Sequence, residues 1–537
     1  MVVLMHHVIT EEDKMLILQN NIRYNYRMFI VDDGMNILKK LDEIDISSYT
    51  IDATSSVRRT ISASIYQIDD IDEFLHLYMR MNFKLEIGVY SLIKDQYIYY
   101  PCGTYVITEG STSYDATNNV LSCTFADWFA KLDGTRSGQV GGNAKIVLEK
   151  ETEDTHIKRT LQNAMKYVLE LQQIPTDSII EDFGEFYGIE SMNPNGYIEY
   201  RKNNPEWNIL PYDLEFSSTA TQGDIIEEIT NLYPNVESYF DVYNYFCTNM
   251  IPSCYNDQII LDNDFLQDVL IGENSEGTTY NIADIKNVTE VFGNEYEPDR
   301  TSENTVFTNS SLLTINLEKF TEYVGYEMIA FTPLSTNNGE NTYVRVNSLG
   351  QIPLYQEYTS SWVKPRTLVA NETNVIKIVK PANSSTYVAY YLGQYQPHVL
   401  CVLTNNVNDP KYTKKFFSER YNVDEKNIIL REEDSPYCVQ KLGIVLDVKE
   451  GEEYESILSD AVAQQNAIYQ NTISSSMNDT VEITTKLVPW IYENSKVEYK
   501  RQNGTSIEQY IVKNITHDLA GMTSSITLQK FYPLYYV

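Results

Sequence analysis

Along residues 45–66, DISSYTIDATSSVRRTISASIY, apolar and polar positions alternate: Val57, Ile61, Ala63 and Ile65 fall on one face of an extended chain, and Arg58, Thr60, Ser62 and Ser64 on the other. A period of two marks a strand buried on one side. The β-rich pattern resumes in KLEIGVYSLI and YIYYPCGTYVITEG, joined by the turn-like Lys94-Asp95-Gln96. It continues in VLSCTF, where Leu121, Cys123 and Phe125 oppose Ser122 and Thr124 before the chain enters ADWFAKLDG. A short acidic helical segment, IDDIDEFLHLYMR, is set among these strands. Residues 45–135 therefore read as a compact antiparallel β-domain with an inserted helix, and residues 1–44, with one periodic stretch, as an N-terminal arm.

The composition turns to RSGQVGGN over 136–145, which reads as a linker, and the period then changes to that of a helix. Ile157, Leu161, Ala164, Met165, Val168 and Leu171 recur at steps of three and four, with Thr155 placed as the N-cap. After PYDLEF a second helix is predicted, capped by Thr221 with Asp224 in its first turn and Ile225, Ile229 and Leu232 as its stripe. Tyr233-Pro234-Asn235 stops it, because the residue before a proline is pushed out of the helical region. With ESYFDVYNYF and QIILD following, residues 146–290 form an α+β module. Short strands such as LLTINLE, TYVRVNS, VIKIVK and TYVAYYLG make residues 295–400 a β-rich insertion, a sandwich or a barrel. Residues 401–475 read as a connector, polar around 405–435 and then helical from Tyr454 to about Ile473 with Leu458, Ala461, Gln465 and Ile468 on one face. Residues 476–537 return to strands with Asn503-Gly504 and Gly521 as turns, a C-terminal β-meander. No fixed-period repeat is visible. The fold class expected is α+β and mainly β, with several domains.

Length and composition set the bounds on this picture. A chain of 537 residues, 42% hydrophobic and 22% charged, can bury several cores and is neither wholly disordered nor dependent on disulfide or metal staples. The 41 Lys and Arg against 75 Asp and Glu leave a net charge of −34, spread along the whole sequence, which excludes a face that neutralises phosphates along a duplex. Such a surface repels polyanions, and lining a channel it would let DNA slide past. The 43 tyrosines against 18 phenylalanines suit subunit interfaces or sugar contact, and equally an AT-rich genome. The six cysteines show no C-x-x-C pair and read as reduced thiols. The start, MVVLMHHVITEEDK, does not read as a secretion signal, and no run reaches membrane-spanning length, so the chain is expected to be made in a cytoplasm.

Candidate chemistry is sparse. The six histidines include no H-E-x-x-H; His398 and Cys401 have a ligand-like spacing but lack a second pair, and His6-His7 sits beside an apolar stretch. Cys123 with His156 is the Cys/His pairing to test, although Cys123 lies on the apolar face of its strand, where a thiol is inert. No G-x-S-x-G elbow, Walker loop or G-x-G-x-x-G occurs, and no carboxylate pair can be singled out among so many acids. DNDFLQD and GENSEG, near 262–277, miss the calcium-loop register and read as a solvated acidic loop. Tyr343, Tyr355, Trp362, Tyr387, Tyr390, Tyr391 and Tyr395 would suit a sugar platform, or else a core and an interface. No catalytic, cofactor-binding or metal-binding residue is assigned.

The order of segments carries more than any motif. The strand SSVRRTISASIY, then FKLEIGVY, then PCGTYVITEGSTSYDATNNVLSCTFADWFAKLDG, a linker, and the helix HIKRTLQNAMKYVLE together resemble the tail hub, or tail-associated tip, proteins of phages infecting Gram-positive bacteria. In that family a strand ends in Asp-x-x-x-x-Leu-Asp, here Asp127 to Asp133, and PYDLEFSSTATQGDIIEEITNLYPNVESYFD and YIVKNITHDLAGMTSSITLQKFYPLY add to the likeness. The resemblance covers about 45–245 and 480–537. It implies a structural virion protein and not an enzyme: a homotrimer with two tube-like antiparallel β-barrel domains per chain, 45–135 and a second completed by 476–537, around an acidic lumen. The partners implied are a hexameric tail tube or distal tail protein, a tip, spike or fibre, a tape measure protein, DNA passing through without sequence-specific binding, and the host envelope at infection. Residues 295–400 would then decorate the exterior and touch a neighbouring baseplate protein or a host glycan. A tail-associated peptidoglycan hydrolase and a glycan-binding surface protein are the alternative readings.

Overall fold

The computed structural model of the protein describes residues 7, 9–66, 74, 76, 81–114, 119–140, 144–146, 161–174, 214–216, 219–231, 236–250, 261–272, 276–281, 283–296, 298–325, 327–356, 361–381, 384–451, 454, 457, 459–475 and 478–530. Thr155, Ile157, Leu232 with Tyr233–Asn235, and Leu458 from the readings above lie outside these residues, as do most of IDDIDEFLHLYMR and QIILD.

The first strands are β1 (Tyr24–Val31), β2 (Ile37–Leu41), β3 (Ile44–Asp52), β4 (Arg59–Tyr66), β5 (Asn82–Ser91), β6 (Gln96–Tyr114) and β7 (Asn119–Asp127). They alternate as read, because one face is filled with Ile, Leu and Tyr and the other with hydroxyls: β4 buries Arg59, Ile61, Ala63 and Ile65 and leaves Thr60 exposed. The N-terminal arm is no separate element. Its helix Glu11–Ile17, closed by a capping box between Thr10 and Asp13, sets Leu16 and Ile17 into the core. β1 and β2 extend the sheet beside β5.

After two short strands, β8 (Ala144–Ile146) and β9 (Leu214–Phe216), come the hairpin β10 (Val236–Phe240) and β11 (Phe246–Met250), then β12 (Glu276–Asn281). The C-terminal strands are β24 (Asn478–Lys486), β25 (Lys496–Tyr499), β26 (Glu508–Asp518) and β27 (Thr523–Gln529). Residues expected to build two tube-like domains share a single twelve-stranded sheet, ordered β12-β24-β27-β26-β3-β4-β7-β6-β5-β1-β2 with β25 on β26. The seam is antiparallel, with Ile515 opposite Ile51, Thr516 opposite Thr50 and His517 opposite Tyr49. One core runs beneath both parts, from Met28 and Phe83 to Trp490 and Leu528. Alternation fixes which face of each strand is buried, not which strand lies beside it, so the fusion was invisible in the sequence.

The helices Leu161–Leu171 and Gln222–Asn231 pack with Trp128, Phe129, Phe240 and Phe246 under the end of β7. Thr221 caps the second reciprocally with Asp224. β13 (Val288–Phe292) then leads into β14 (Arg300–Asn309), β15 (Leu312–Ile315), β16 (Met328–Pro333), β17 (Tyr343–Val346), β18 (Ile352–Gln356), β19 (Asn374–Val379) and β20 (Val388–Gln394). These last seven close a barrel filled by Leu313, Phe331, Val344, Leu354 and Ile376.

The expected connector is a small α/β layer. β21 (His398–Thr404) pairs in parallel with β22 (Ile428–Glu432), and β13 lies between β21 and β23 (Leu446–Lys449). The helix Lys414–Tyr421 makes the crossover between β21 and β22, and Asp460–Ser474 covers the sheet through Ala463 and Ala467. Its first helix fully buries only Phe417, with Phe416 and Tyr421 partly buried beside it, and five of its eight residues are polar or charged, which is why the segment reads as a linker.

Candidate functional site

Two features stand out where the two ends of the chain meet. The first is a buried cluster of charge. Arg58 and Arg59, placed by alternation on opposite faces of one strand, are both buried. Asp127 holds them by accepting from the backbone N–H of Arg58 at 2.8 Å and of Arg59 at 2.9 Å, and it caps the turn Trp128–Lys131 by accepting from Phe129 N–H at 3.0 Å. The Arg59 guanidinium is hydrogen-bonded to Glu493 and donates to the Phe240 carbonyl at 2.6 Å. Arg58 donates to Glu237 at 2.8 Å and lies over the Tyr239 ring. Asn494 donates to both Glu237 oxygens, and Lys513 to Asn494 Oδ1 at 2.9 Å. Four regions far apart in sequence are thereby tied together: β4, the end of β7, β10 and the turn before β25.

Burial pushes the Asp127 carboxyl up to about 6 against the pull of Arg59 and the three N–H donors, and pushes Asp241, which holds the β10–β11 turn, up to about 7. Both carboxyls spend their hydrogen bonds on backbone, so they hold the chain and face no open cleft. The arrangement orders these segments.

The second feature is the outer face of the large sheet. Thr484, Ser525, Thr516, Thr50 and Thr60 follow one another across five neighbouring strands, directly paired at every step. A second row runs Ser48, Ser62, Thr124, and a third Ser64, Ser122, Ser111. Ser47, Ser62, Ser64, Ser111, Ser122 and Thr124 line a shallow groove, joined by Glu109. The described lining of this groove offers hydroxyl hydrogen bonds and the Glu109 carboxylate, with no guanidinium, ammonium or imidazole, while farther along the same face Arg27 and Lys84 are paired with Glu86.

The residues weighed from sequence are scattered. Cys123 is in the core with its thiol pushed up to about 11 by burial, and His156 lies outside the described residues, as does His6. His398 bonds Glu290 at 2.8 Å and stacks on Phe292, whereas Cys401, buried among aliphatics, has its thiol pushed up to about 12. Among the described residues no three His, Cys, Asp or Glu side chains gather as a metal site. DNDFLQD is no solvated loop: Asn263–Val269 is a helix capped by Asp262, with Phe265, Leu266 and Val269 buried, and the middle of GENSEG lies outside the described residues. Of the seven aromatics, Tyr390 and Tyr391 are core, Tyr387 meets Tyr323, and Tyr343, Trp362 and Tyr355 form one surface cluster. The junction residues Arg59, Glu237 and Glu493 escaped the sequence reading; the available signal was the second of two adjacent arginines, which falls on the apolar face of its strand.

Residues 434–535 match a family model described as a domain of unknown function (DUF5048). A comparison with the curated proteins gives no match. Among solved structures, the chain is similar to the tail protein from Neisseria meningitidis MC58, at 8% identity over 96% of this chain and 100% of that one, with a TM-score of 0.41. It is also similar to the 43 kDa tail protein of prophage MuSo2 from Shewanella oneidensis, at 9% identity over 96% and 99% of the two chains and a TM-score of 0.39. A third similar structure is the prophage tail protein gp18 from Listeria monocytogenes EGD-e, at 9% identity over 94% of each chain and a TM-score of 0.38.

Proposed function

We propose that this chain is a structural virion protein of a phage tail: a homotrimeric hub that joins a hexameric tail tube to a trimeric tip or spike and encloses the path of the DNA. Its support is the ordered resemblance of residues 45–245 and 480–537 to tail hub proteins, together with the hydroxyl wall. That wall is the observation that carries the reading. It spans strands from both ends of the chain, so a copy contributes one continuous surface to a ring, and its Ser and Thr side chains offer phosphates no cation to stick to. The hydroxyl rows end at Asp45 and Glu109, so the wall joins hydroxyl and acidic chemistry, and both let a polyanion slide. Around this ring the barrel would be carried as a peripheral module.

The test is the mass of the purified protein by light scattering across a dilution series, alone and with its tail tube protein. A species near three times 61.9 kDa supports the hub. A monomer at every concentration, with no complex on the tube, overturns it. Replacing Ser62 and Ser122 together by Lys is expected to slow DNA release from assembled particles while leaving the trimer intact.

A further inference from the structure

On the outer wall of the barrel, three aromatic rings stand on neighbouring extended segments. Tyr343 opens β17, Tyr355 lies in β18, and Trp362 bridges back onto Tyr355. The Trp362 ring centroid is 4.9 Å from that of Tyr343 and 5.0 Å from that of Tyr355. Their chain neighbours Val344, Leu354 and Val363 point inward and are fully buried, so alternation forces all three rings outward. Trp128 and Trp490 are fully buried in cores, whereas Trp362 is only partly buried. Two residues along β17, on the same outward face, Arg345 donates to Thr314 Oγ1 at 3.2 Å. Among the described residues Arg345 is paired with no carboxylate, in a chain whose acids outnumber its bases by 75 to 41.

The geometry points to a glycan-binding site that takes an acidic saccharide, with a pyranose ring seated on Trp362 between the tyrosines and its carboxylate on Arg345. Apolar C–H faces of a sugar pack on aromatic rings, and a guanidinium fork is the usual partner of a carboxylate. A patch whose guanidinium is bonded to a hydroxyl and, among the described residues, to no carboxylate selects an anionic ligand by charge complementarity. The site needs neither the trimer nor the channel, so it stands apart from the hub reading.

The experiment uses the full chain on an array that sets uronic-acid polymers, sialylated glycans and muramic-acid oligosaccharides beside neutral counterparts. Binding is then titrated by tryptophan fluorescence with the best probe. The expected result is preferential retention of carboxylated glycans, weakened at least about tenfold by Trp362→Ala, with Trp362→Tyr restoring part of it. Arg345→Gln is expected to abolish the preference for the acidic over the neutral member of a pair while the neutral one still binds. Tyr395→Ala, exposed but off the patch, leaves binding unchanged. No retention of any carboxylated glycan by the folded chain, or affinity indifferent to Arg345→Gln, overturns the site. Trp362→Ala that spares glycan binding yet splits a complex between copies marks the patch as a protein interface and overturns it equally.

Discussion

The twelve-stranded sheet and the seven-stranded barrel are both built from half-buried strands, yet they solve the edge problem in opposite ways. The barrel, from β14 to β20, closes on itself within one stretch of chain and has no edge to offer. The large sheet gathers strands from the two ends of the sequence, has β2 and β12 as its outermost strands among the described residues, and carries a buried ionic knot where those ends meet. A closed barrel can be carried as a self-sufficient module, whereas an open sheet with an uncovered hydroxyl face is suited to becoming whole in an assembly. Stability should therefore fail separately in the two regions.

The largest effect is expected at the knot. Arg59→Ala takes from the buried Glu493 its directly hydrogen-bonded guanidinium, with Arg58 4.0 Å away, and should cost the sheet about 3–5 kcal/mol. Chemical denaturation followed at Trp490 for the sheet and Trp362 for the barrel should show the first transition moving and the second staying. A common shift of both would merge the two regions into one cooperative unit and break the comparison.

Acid should divide them next. His517, in the seam strand β26, is fully buried, bonds Ser524 through Nδ1 at 2.8 Å, and has its imidazole pushed down to about 3 by burial. A group whose folded pKa is depressed contributes stability that is present above its unfolded value, near 6.5, and lost as pH falls toward the folded one. On its own this histidine's contribution falls by about 1.4 kcal/mol per pH unit below about pH 6, and a His517→Asn variant should lack that part of the slope. Asp127 runs the other way, its raised carboxyl favouring the fold below pH 4 and losing that contribution as pH rises through 6. A slope unchanged by His517→Asn would clear the histidine of the role.

Within the barrel, Gly393 has φ +131° and lies where an added Cβ would come within 2.3 Å of the Asp460 carboxylate. Gly393→Ala should cost about 1–3 kcal/mol and loosen the helix Asp460–Ser474 from β20, with the sheet unaffected. The smallest effect is expected on the hydroxyl wall. Ser62→Ala and Ser122→Ala should each change stability by under about 0.5 kcal/mol in thermal unfolding, since neither side chain packs in a core. A larger loss there would make the wall a folding feature instead of a free surface.

Much of the local architecture was legible. The period of two in SSVRRTISASIY, the Thr221 cap and the turns at Gly504 and Gly521 all follow from residue chemistry acting over a few positions. The α/β layer around β21 and β22 was not, because its crossover helix is short and sets its three aromatics among charged residues in a polar stretch. Acidic DNDFLQD concealed a helix because its three buried residues sit among acids at helical spacing. The seven aromatics could not be sorted, since a tyrosine in a core and one on a surface are spelled alike.

By itself the sequence determined which face of an alternating strand is buried, where the helix at Thr221 begins, where the C-terminal strands turn, and that a surface this acidic repels polyanions. These are consequences of side-chain polarity and backbone preference within one element. Only the tertiary structure decided that β26 lies against β3, that Arg59 reaches Glu493 across more than four hundred residues, that Ser and Thr from both termini form one wall, and that Trp362 stands beside Tyr343 and Tyr355. Strand pairing is specified by the complementarity of faces brought together in space, and alternation makes many registers equally good until the whole core is filled.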